Sequence, residues 1–303
     1  MRQQDEGIGR RVVRWMRKLV SYSLIAVLCL PFVLGCYALW DSHVVVERAH
    51  QGQWQPYKPT EPEPISFWEL QRINPEVRGW LSVYGTNIDY PVCQSAAGDQ
   101  DKYLTTDAKG QYSLSGSLFL DVANAADFSD FSTIVYGHHM ENGVMFGPIT
   151  DFSDEEYFLE HRFGNLFSND RDYGLDIFCY LDADAYDRSI YRHLFVGEGE
   201  REGYLELLHE RARHWRDGVG VGSSDRILML STCAEGSTNA RAILIAKVCE
   251  EKFKNPYVRI PNFGTGVDAQ EGWLGIAWWC WAILGVFTVL LVFLMVSRRG
   301  RRS

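Results

Sequence analysis

Two uncharged apolar runs, one near each end, constrain this 303-residue chain more than any other feature. They cover residues 19–40 and 273–296, and neither contains an Asp, Glu, Lys or Arg. At about 1.5 Å per residue each makes roughly 33–36 Å of helix, enough to cross a hydrocarbon core about 30 Å thick. Pro31 predicts a kink in the first run, which a membrane helix tolerates. Trp40, Trp273, Trp278, Trp279 and Trp281 crowd the outer halves, where indoles favour the membrane interface.

Charge sets the expected topology. Residues 1–18 carry six basic and two acidic side chains, and residues 297–303 carry four basic and no acidic ones. Between these tails 20 basic residues face 37 acidic ones, so the overall −9 combines two basic ends with an acidic middle. That balance excludes a chain-wide nucleic-acid footprint. The positive-inside rule places both tails in the cytoplasm and the middle outside. The expected order is a cytoplasmic tail (1–18), a transmembrane helix (19–40), a Pro-rich extracellular stalk (41–64), a folded domain (65–270), a second transmembrane helix (273–296) and a second cytoplasmic tail (297–303). Two other readings of the first run fit less well. A cleaved signal peptide lacks its small-x-small site, and Val33-Leu34-Gly35-Cys36, which faintly resembles a lipobox, leads into more apolar residues rather than a polar tether.

Pro56, Pro59, Pro62 and Pro64 favour extended chain in the stalk. The roughly 200 residues beyond it can bury one substantial core. Residues 67–73 read as a short helix ending near Pro75. Strand-like runs follow at 79–83, 88–92, 117–121, 133–136, 176–180, 226–231 and 242–248, many bounded by Gly, Asn or Asp, as an all-β barrel or sandwich requires. Over 200–215, Tyr204, Leu207, Leu208, Ala212 and Trp215 recur at helical spacing, which predicts a surface helix packed on the barrel. Three of the seven cysteines (Cys29, Cys36, Cys280) lie in the apolar runs, leaving Cys93, Cys179, Cys233 and Cys249 outside. Four thiols allow two disulfides, but no dense framework exists, and no CxxC or HExxH suggests a metal. No cofactor is implied.

One constellation carries chemistry. Cys233 ends the apolar strand that starts at Arg226, and a short polar loop leads to Arg241 at the head of another apolar strand. Such a hairpin puts both at one sheet end, where the Arg needs a polar task because its charge cannot be buried alone. Upstream, the strand ending in Tyr136-Gly137-His138-His139 displays an imidazole at a strand end, suited to general acid/base work beside a thiolate.

Ser231-Thr232-Cys233, the following Arg241 and the upstream Tyr136-Gly137-His138 resemble the sortase signature, that of class B sortases in particular. The likeness continues through Asn74-Pro75-Glu76-Val77-Arg78-Gly79-Trp80-Leu81, Gly85-Thr86-Asn87-Ile88-Asp89-Tyr90-Pro91-Val92, Tyr103-Leu104, Gly116-Ser117-Leu118-Phe119-Leu120-Asp121 and Gly143-Val144-Met145-Phe146-Gly147. The helix expected before the cysteine strand is also similar to class B. The resemblance implies a mainly β fold, an eight-stranded sortase-type β-barrel with peripheral helices, here flanked by two transmembrane helices. It implies a cysteine transpeptidase in the membrane of a Gram-positive cell, with its catalytic domain outside. Cys233 would attack a Thr carbonyl in the C-terminal sorting motif of a surface protein or pilin, and an amine of a cell-wall precursor or pilin would resolve the thioacyl enzyme. His138 would move the protons and Arg241 would hold the peptide and the developing oxyanion. By motif position Leu104, Tyr136 and Ser231 match the family's peptide groove. Tyr191, near the added helix, is a further candidate, and His139 is read as a neighbour of the catalyst. Gln100 and Ala234 depart from a staphylococcal class B pattern that has Asn and an acid there. The second apolar run resembles class C enzymes, whose Asp-Pro-aromatic lid motif is missing from the stalk. The competing readings are a non-catalytic, membrane-tethered binding module on a sortase scaffold and a hydrolytic cysteine protease.

Overall fold

A computed structural model describes residues 2–140, 143–233 and 239–257. The second apolar run and the tail after it lie outside the described residues. Helix α1 (Arg2–Ala49) passes through the first apolar run, including Pro31, and continues beyond it for 48 residues in all. Its most apolar stretch buries nothing against protein, and Trp15, Val27, Leu39 and Trp40 stand largely exposed. The extended spacer expected from residue 41 is therefore helical up to Ala49. Two 3-10 turns follow, Gln51–Gln53 and Gln55–Tyr57, and only then does the proline-containing stretch run without regular structure. The first stalk proline, Pro56, sits in the opening positions of the second turn, where its missing N–H is tolerated, while Ala49 and Trp54 gain burial in the barrel's main core.

Helix α2 (Ile65–Ile73) buries Phe67 and Leu70 and stops before Pro75. Strands β1 (Val77–Val83), β2 (Asp89–Cys93), β3 (Leu118–Leu120) and β4 (Ser132–Tyr136) come next. A small separate hairpin is formed by β5 (His139–Met140) and β6 (Val144–Met145). Helix α3 (Glu155–Glu160), strands β7 (Phe163–Ser168) and β8 (Arg171–Asp184), helix α4 (Gly197–Arg211) and strands β9 (His214–Trp215), β10 (Arg226–Cys233) and β11 (Ala240–Cys249) complete the described chain. Pairing runs β1-β2-β3-β4-β10-β11-β8-β7 and returns to β1, a closed barrel of eight strands. Strand β8 can serve several neighbours because it is 14 residues long: β11 lies along one edge, and β7 and then β9 lie along the other.

Two cores result. Leu81, Val92, Leu166, Leu228, Leu230 and Leu244 belong to the larger one. Ile134, Phe178, Met229, Ile243 and Ile245 alternate with them and form a second core beneath Tyr204, Leu205 and Leu208 of α4. Strands buried on both faces read as unbroken apolar runs, which explains the sequences of β10 and β11. Two expectations change. Helix α4 stops at Arg211, because Trp215 and His214 pair with Cys179 and Tyr180 in β9; Trp215 then packs edge-on against Phe178, with ring centroids 5.0 Å apart. Strand β7 was not expected from the sequence. It joins β8 through Asn169 and Asp170, both at positive φ (51° and 57°), the two-residue turn that matches strand twist.

Asp89 ties the segment after α1 to the barrel. It accepts hydrogen bonds from Gln55 Nε2 (2.7 Å), Lys58 Nζ (2.6 Å), Trp80 Nε1 (2.8 Å) and Ser82 Oγ (2.6 Å). Burial alone would raise its pKa, but the Lys58 charge and the donors outweigh burial and hold it below the ordinary carboxylate value. A depressed carboxylate stabilises the fold above its unfolded pKa of about 3.9 and loses that contribution as pH falls through the lower folded value. Asp89→Asn is expected to lower stability by about 2 kcal/mol at pH 7 and to flatten the acid limb of a stability–pH curve, both read by denaturant titration.

Candidate active site

Strands β4 and β10 are parallel neighbours, with Tyr136 in register with Ser231. Both chains leave the barrel at this rim, and the Gly137 N–H donates to the Ser231 carbonyl at 3.2 Å. Strand β11 returns antiparallel to β10, with Arg241 in register opposite Cys233. Position 233 follows the alternation of Ile227, Met229 and Ser231, and position 241 that of Ile243 and Ile245. The structure thus gathers the Tyr-Gly-His turn, the end of the cysteine strand and the start of the arginine strand at one rim. The loop between Cys233 and Asn239 lies outside the described residues.

His138 is held at two points. Its carbonyl accepts from Phe146 N at 3.0 Å, and its ring Nε2 lies 2.8 Å from the Leu104 carbonyl. A carbonyl oxygen only accepts, so Nε2 carries the proton and Nδ1 is the acceptor of the neutral ring. Gly137 makes this approach feasible, since a Cβ there would come within 2.5 Å of Leu118 and 2.7 Å of Phe146.

Leu104 ends the 3-10 turn Lys102–Leu104, which is itself fastened to the start of β1. Tyr103 Oη donates to Glu76 Oε2 at 2.6 Å and accepts from Asn74 Nδ2 at 3.0 Å, while Lys102 pairs with the same carboxylate. Burial pushes Glu76 up in pKa, but the hydrogen bonds from Lys102, Tyr103 and the Ala96 N–H together bring it below the usual value. Gly116, at φ +57°, closes the turn from the other side; a Cβ there would lie 2.3 Å from the Tyr103 carbonyl and 2.7 Å from that of Leu104.

The remaining expected residues form a contiguous wall. Tyr136 stacks on Tyr191 with centroids 6.3 Å apart, and Tyr191 Oη and Ser231 Oγ share a hydrogen bond of 2.9 Å. Tyr136 Oη donates to Asp121 Oδ2 at 3.1 Å. Burial first, and Asp121 second, push the Tyr136 pKa up, while the Arg241 charge opposes them, so the guanidinium acts on this phenol. His139 opens β5, paired with Met145. Gln100 Oε1 accepts from Val122 N at 2.8 Å and braces the turn behind Asp121. Sequence reasoning did not single out Asp121 or Phe119, whose ring lies 5.6 Å from that of Tyr136. Both lie in the Gly116–Asp121 stretch that carries part of the family resemblance, and the fold gives them their place: Phe119 pairs with Tyr136 across β3 and β4, and Asp121 follows the end of β3.

Cys93, Cys179 and Cys249 are free thiols. Burial pushes all three up in pKa, and Cys93 and Cys179 are fully enclosed. None of the three suits nucleophilic work near neutral pH. Among the described residues no group of His, Cys, Asp and Glu could hold a metal ion.

The chain is similar to known proteins over this region. Sortase B of Listeria monocytogenes is 33% identical over 165 residues, an alignment covering 54% of this chain and 65%, just under two thirds, of that protein. Among solved structures, the sortase B from the type II pilus of Streptococcus pneumoniae is 45% identical, with a TM-score of 0.52, and the match covers 60% of this chain and 98% of that one. Sortase B of Clostridium perfringens is 36% identical, with a TM-score of 0.57, covering 60% of this chain and 98% of that one. No family model matches the chain.

Gly116→Ala is expected to displace the Leu104 carbonyl and loosen His138 while leaving the barrel folded. Histidine NMR should report altered His138 ring resonances, with the far-ultraviolet spectrum unchanged.

Proposed function

The chain belongs to the sortase B family, and on that premise we propose that it is a membrane-anchored cysteine transpeptidase acting on proteins with a C-terminal sorting motif. The observation that carries this reading is the register of β10 against β4 and β11, which brings Cys233, Arg241 and the Tyr136-Gly137-His138 turn to one rim. Cys233 as thiolate attacks the carbonyl carbon of the sorting-motif Thr. His138 delivers a proton to the leaving amine as the peptide C–N bond breaks, giving a thioester. An incoming amine then attacks the thioester, His138 takes its proton, and the C–S bond breaks to release Cys233. With Nε2–H committed to Leu104, Nδ1 is the nitrogen left to exchange these protons. Arg241, always charged and hydrogen-bonding through a planar fork, stabilises the tetrahedral oxyanion. Leu104, Tyr136, Tyr191 and Ser231 line the peptide groove.

The bare apolar surface of α1 supports the anchor, and the basic tail before it supports a cytoplasmic N-terminus. The second span, over 273–296, completes a two-pass topology with both tails cytoplasmic and the barrel outside a Gram-positive cell. The acceptor is an amine of a pilin or of a cell-wall precursor. Likeness to an enzyme from a type II pilus favours the pilin.

The test incubates the detergent-solubilised full chain with sorting-motif peptides and hydroxylamine and measures hydroxamate by mass spectrometry. Wild type is expected to turn over at least one peptide, and Cys233→Ala none; equal turnover by both would refute the proposal. Arg241→Ala should lower kcat/KM by about 100-fold or more, with Arg241→Lys recovering only part of it. Replacing hydroxylamine by a peptide amine separates transfer from hydrolysis.

A further inference from the structure

Helix α1 does not end where its apolar run ends. From Trp40 to Ala49 it continues through nine more residues, about 14 Å at 1.5 Å per residue, without a break. Its last turns are packed on the domain: residues 43–46 are half-buried, Ala49 is buried, and the helix touches β6. Gln53 Nε2 donates to the Arg48 carbonyl and closes the helix end, and buried Trp54 follows at once. This junction adjoins the catalytic rim. Strand β6 pairs with β5, which begins directly after His138, and Phe146 N, directly after β6, donates to the His138 carbonyl.

A second observation concerns the other end of the described chain. After β11 the chain turns back along the barrel, stacking Phe253 on Phe163 with centroids 4.4 Å apart. Tyr257 stacks on His161 at 5.2 Å, donates to the Glu160 carbonyl at 2.8 Å and lies against Gly85. Gly85 belongs to the turn between β1 and β2. From the same turn Asn87 accepts from Gln51 Nε2 (3.4 Å), just past α1, and donates to the Gly143 carbonyl (3.1 Å) beside β6. Both connections, the one from α1 and the one toward the second apolar run, thus converge on a single turn at one end of the barrel.

We infer that α1 is a rigid strut that holds the catalytic rim at a fixed short height above the bilayer, and so selects donors by the length of chain between their sorting motif and their own membrane span. This rests on the transpeptidase and anchor readings above. A height of about 14 Å is spanned by about four residues of extended chain, so donors with shorter spacers cannot reach the site. Longer spacers still reach it, at an effective concentration that declines only slowly with length. The partner is therefore a membrane-anchored polypeptide whose spacer exceeds a threshold set by this chain's own residues 41–49.

The experiment reconstitutes the full chain in vesicles with membrane-anchored donors of graded spacer length. Two variants carry seven residues inserted between Ser42 and His43, one set helix-forming and the other Gly/Ser. The helical insert lengthens the strut by about 10 Å and should raise the minimal cleavable spacer by about three residues. The flexible insert lets the domain approach the bilayer and should leave the minimum where it is or lower it. One common threshold for all three proteins would overturn the inference. A soluble sorting peptide should be cleaved equally by the three; if wild type leaves it intact, the transpeptidase reading fails instead. Energy transfer from a fluorophore on the β5–β6 hairpin to acceptor lipids judges the strut independently of chemistry. The helical insert should raise the hairpin by about 10 Å, and an unchanged height would count against the strut.

Discussion

Closure of the sheet by β8 against β11 is the constraint on which the rest of this structure depends. Without that pairing β11 would be an edge strand, open to register slips that move every side chain to the opposite face. With it, β11 is clamped between β10 and β8 over ten residues, and the pairing of Cys233 with Arg241 is fixed at both sides. The same closure makes an enclosed core and leaves the outward faces of β4, β8, β10 and β11 to be covered by α4 and the segment before it. Tyr191 comes from that cover. Its ring on Tyr136 and its hydroxyl on Ser231 tie the outer layer directly to the rim where β4 and β10 end.

The sequence made some of this legible because the physical signals were local. Strands β10 and β11 announced themselves as apolar runs, and Cys233 and Arg241 sat at their facing ends. Helix α2 had its proline stop. Other features depended on tertiary partners. Trp215 continued the helical stripe of α4 in sequence, yet two pairings with β8 placed it in a strand. Strand β7 is short and mixed in character, and it exists because β1 and β8 offer hydrogen bonds on both sides. The prolines correctly marked irregular chain near residues 59–64 but carried no information about residues 41–49, whose helix is stabilised by the surface it meets.

The contact between His138 and Leu104 is likewise invisible to motif reading, because the partner is a backbone carbonyl. Its consequence is chemical, since the bond selects which ring nitrogen holds the proton. Holding a carbonyl in place is a matter of fixing the backbone, and here that falls to residues that never meet the ring. Glu76, Tyr103 and Asn74 fasten the turn from the β1 side, and Gly116 allows the chain to pass at a distance no other residue permits. The stretch from Asn74 to Leu81 and the one around Gly116 carried part of the family resemblance, and this turn gives that resemblance a physical reason.

The transpeptidase proposed above, acting outside the cytosol, would face a selectivity problem, because any second reactive cysteine offers a route to unwanted disulfides. Many small secreted domains consume their thiols in structural bridges. This domain has enough buried apolar surface to need none, and it keeps Cys93, Cys179 and Cys249 as free thiols. Burial solves the problem in the first two cases by disfavouring the thiolate and blocking access together. Cys249, half-buried and also raised in pKa, stands at the far end of β11, eight residues of strand from Arg241. In the transpeptidase proposed above, reactivity is left to Cys233, at the strand end in register with Arg241 and beside the His138 turn, while the core that closes the barrel silences Cys93 and Cys179.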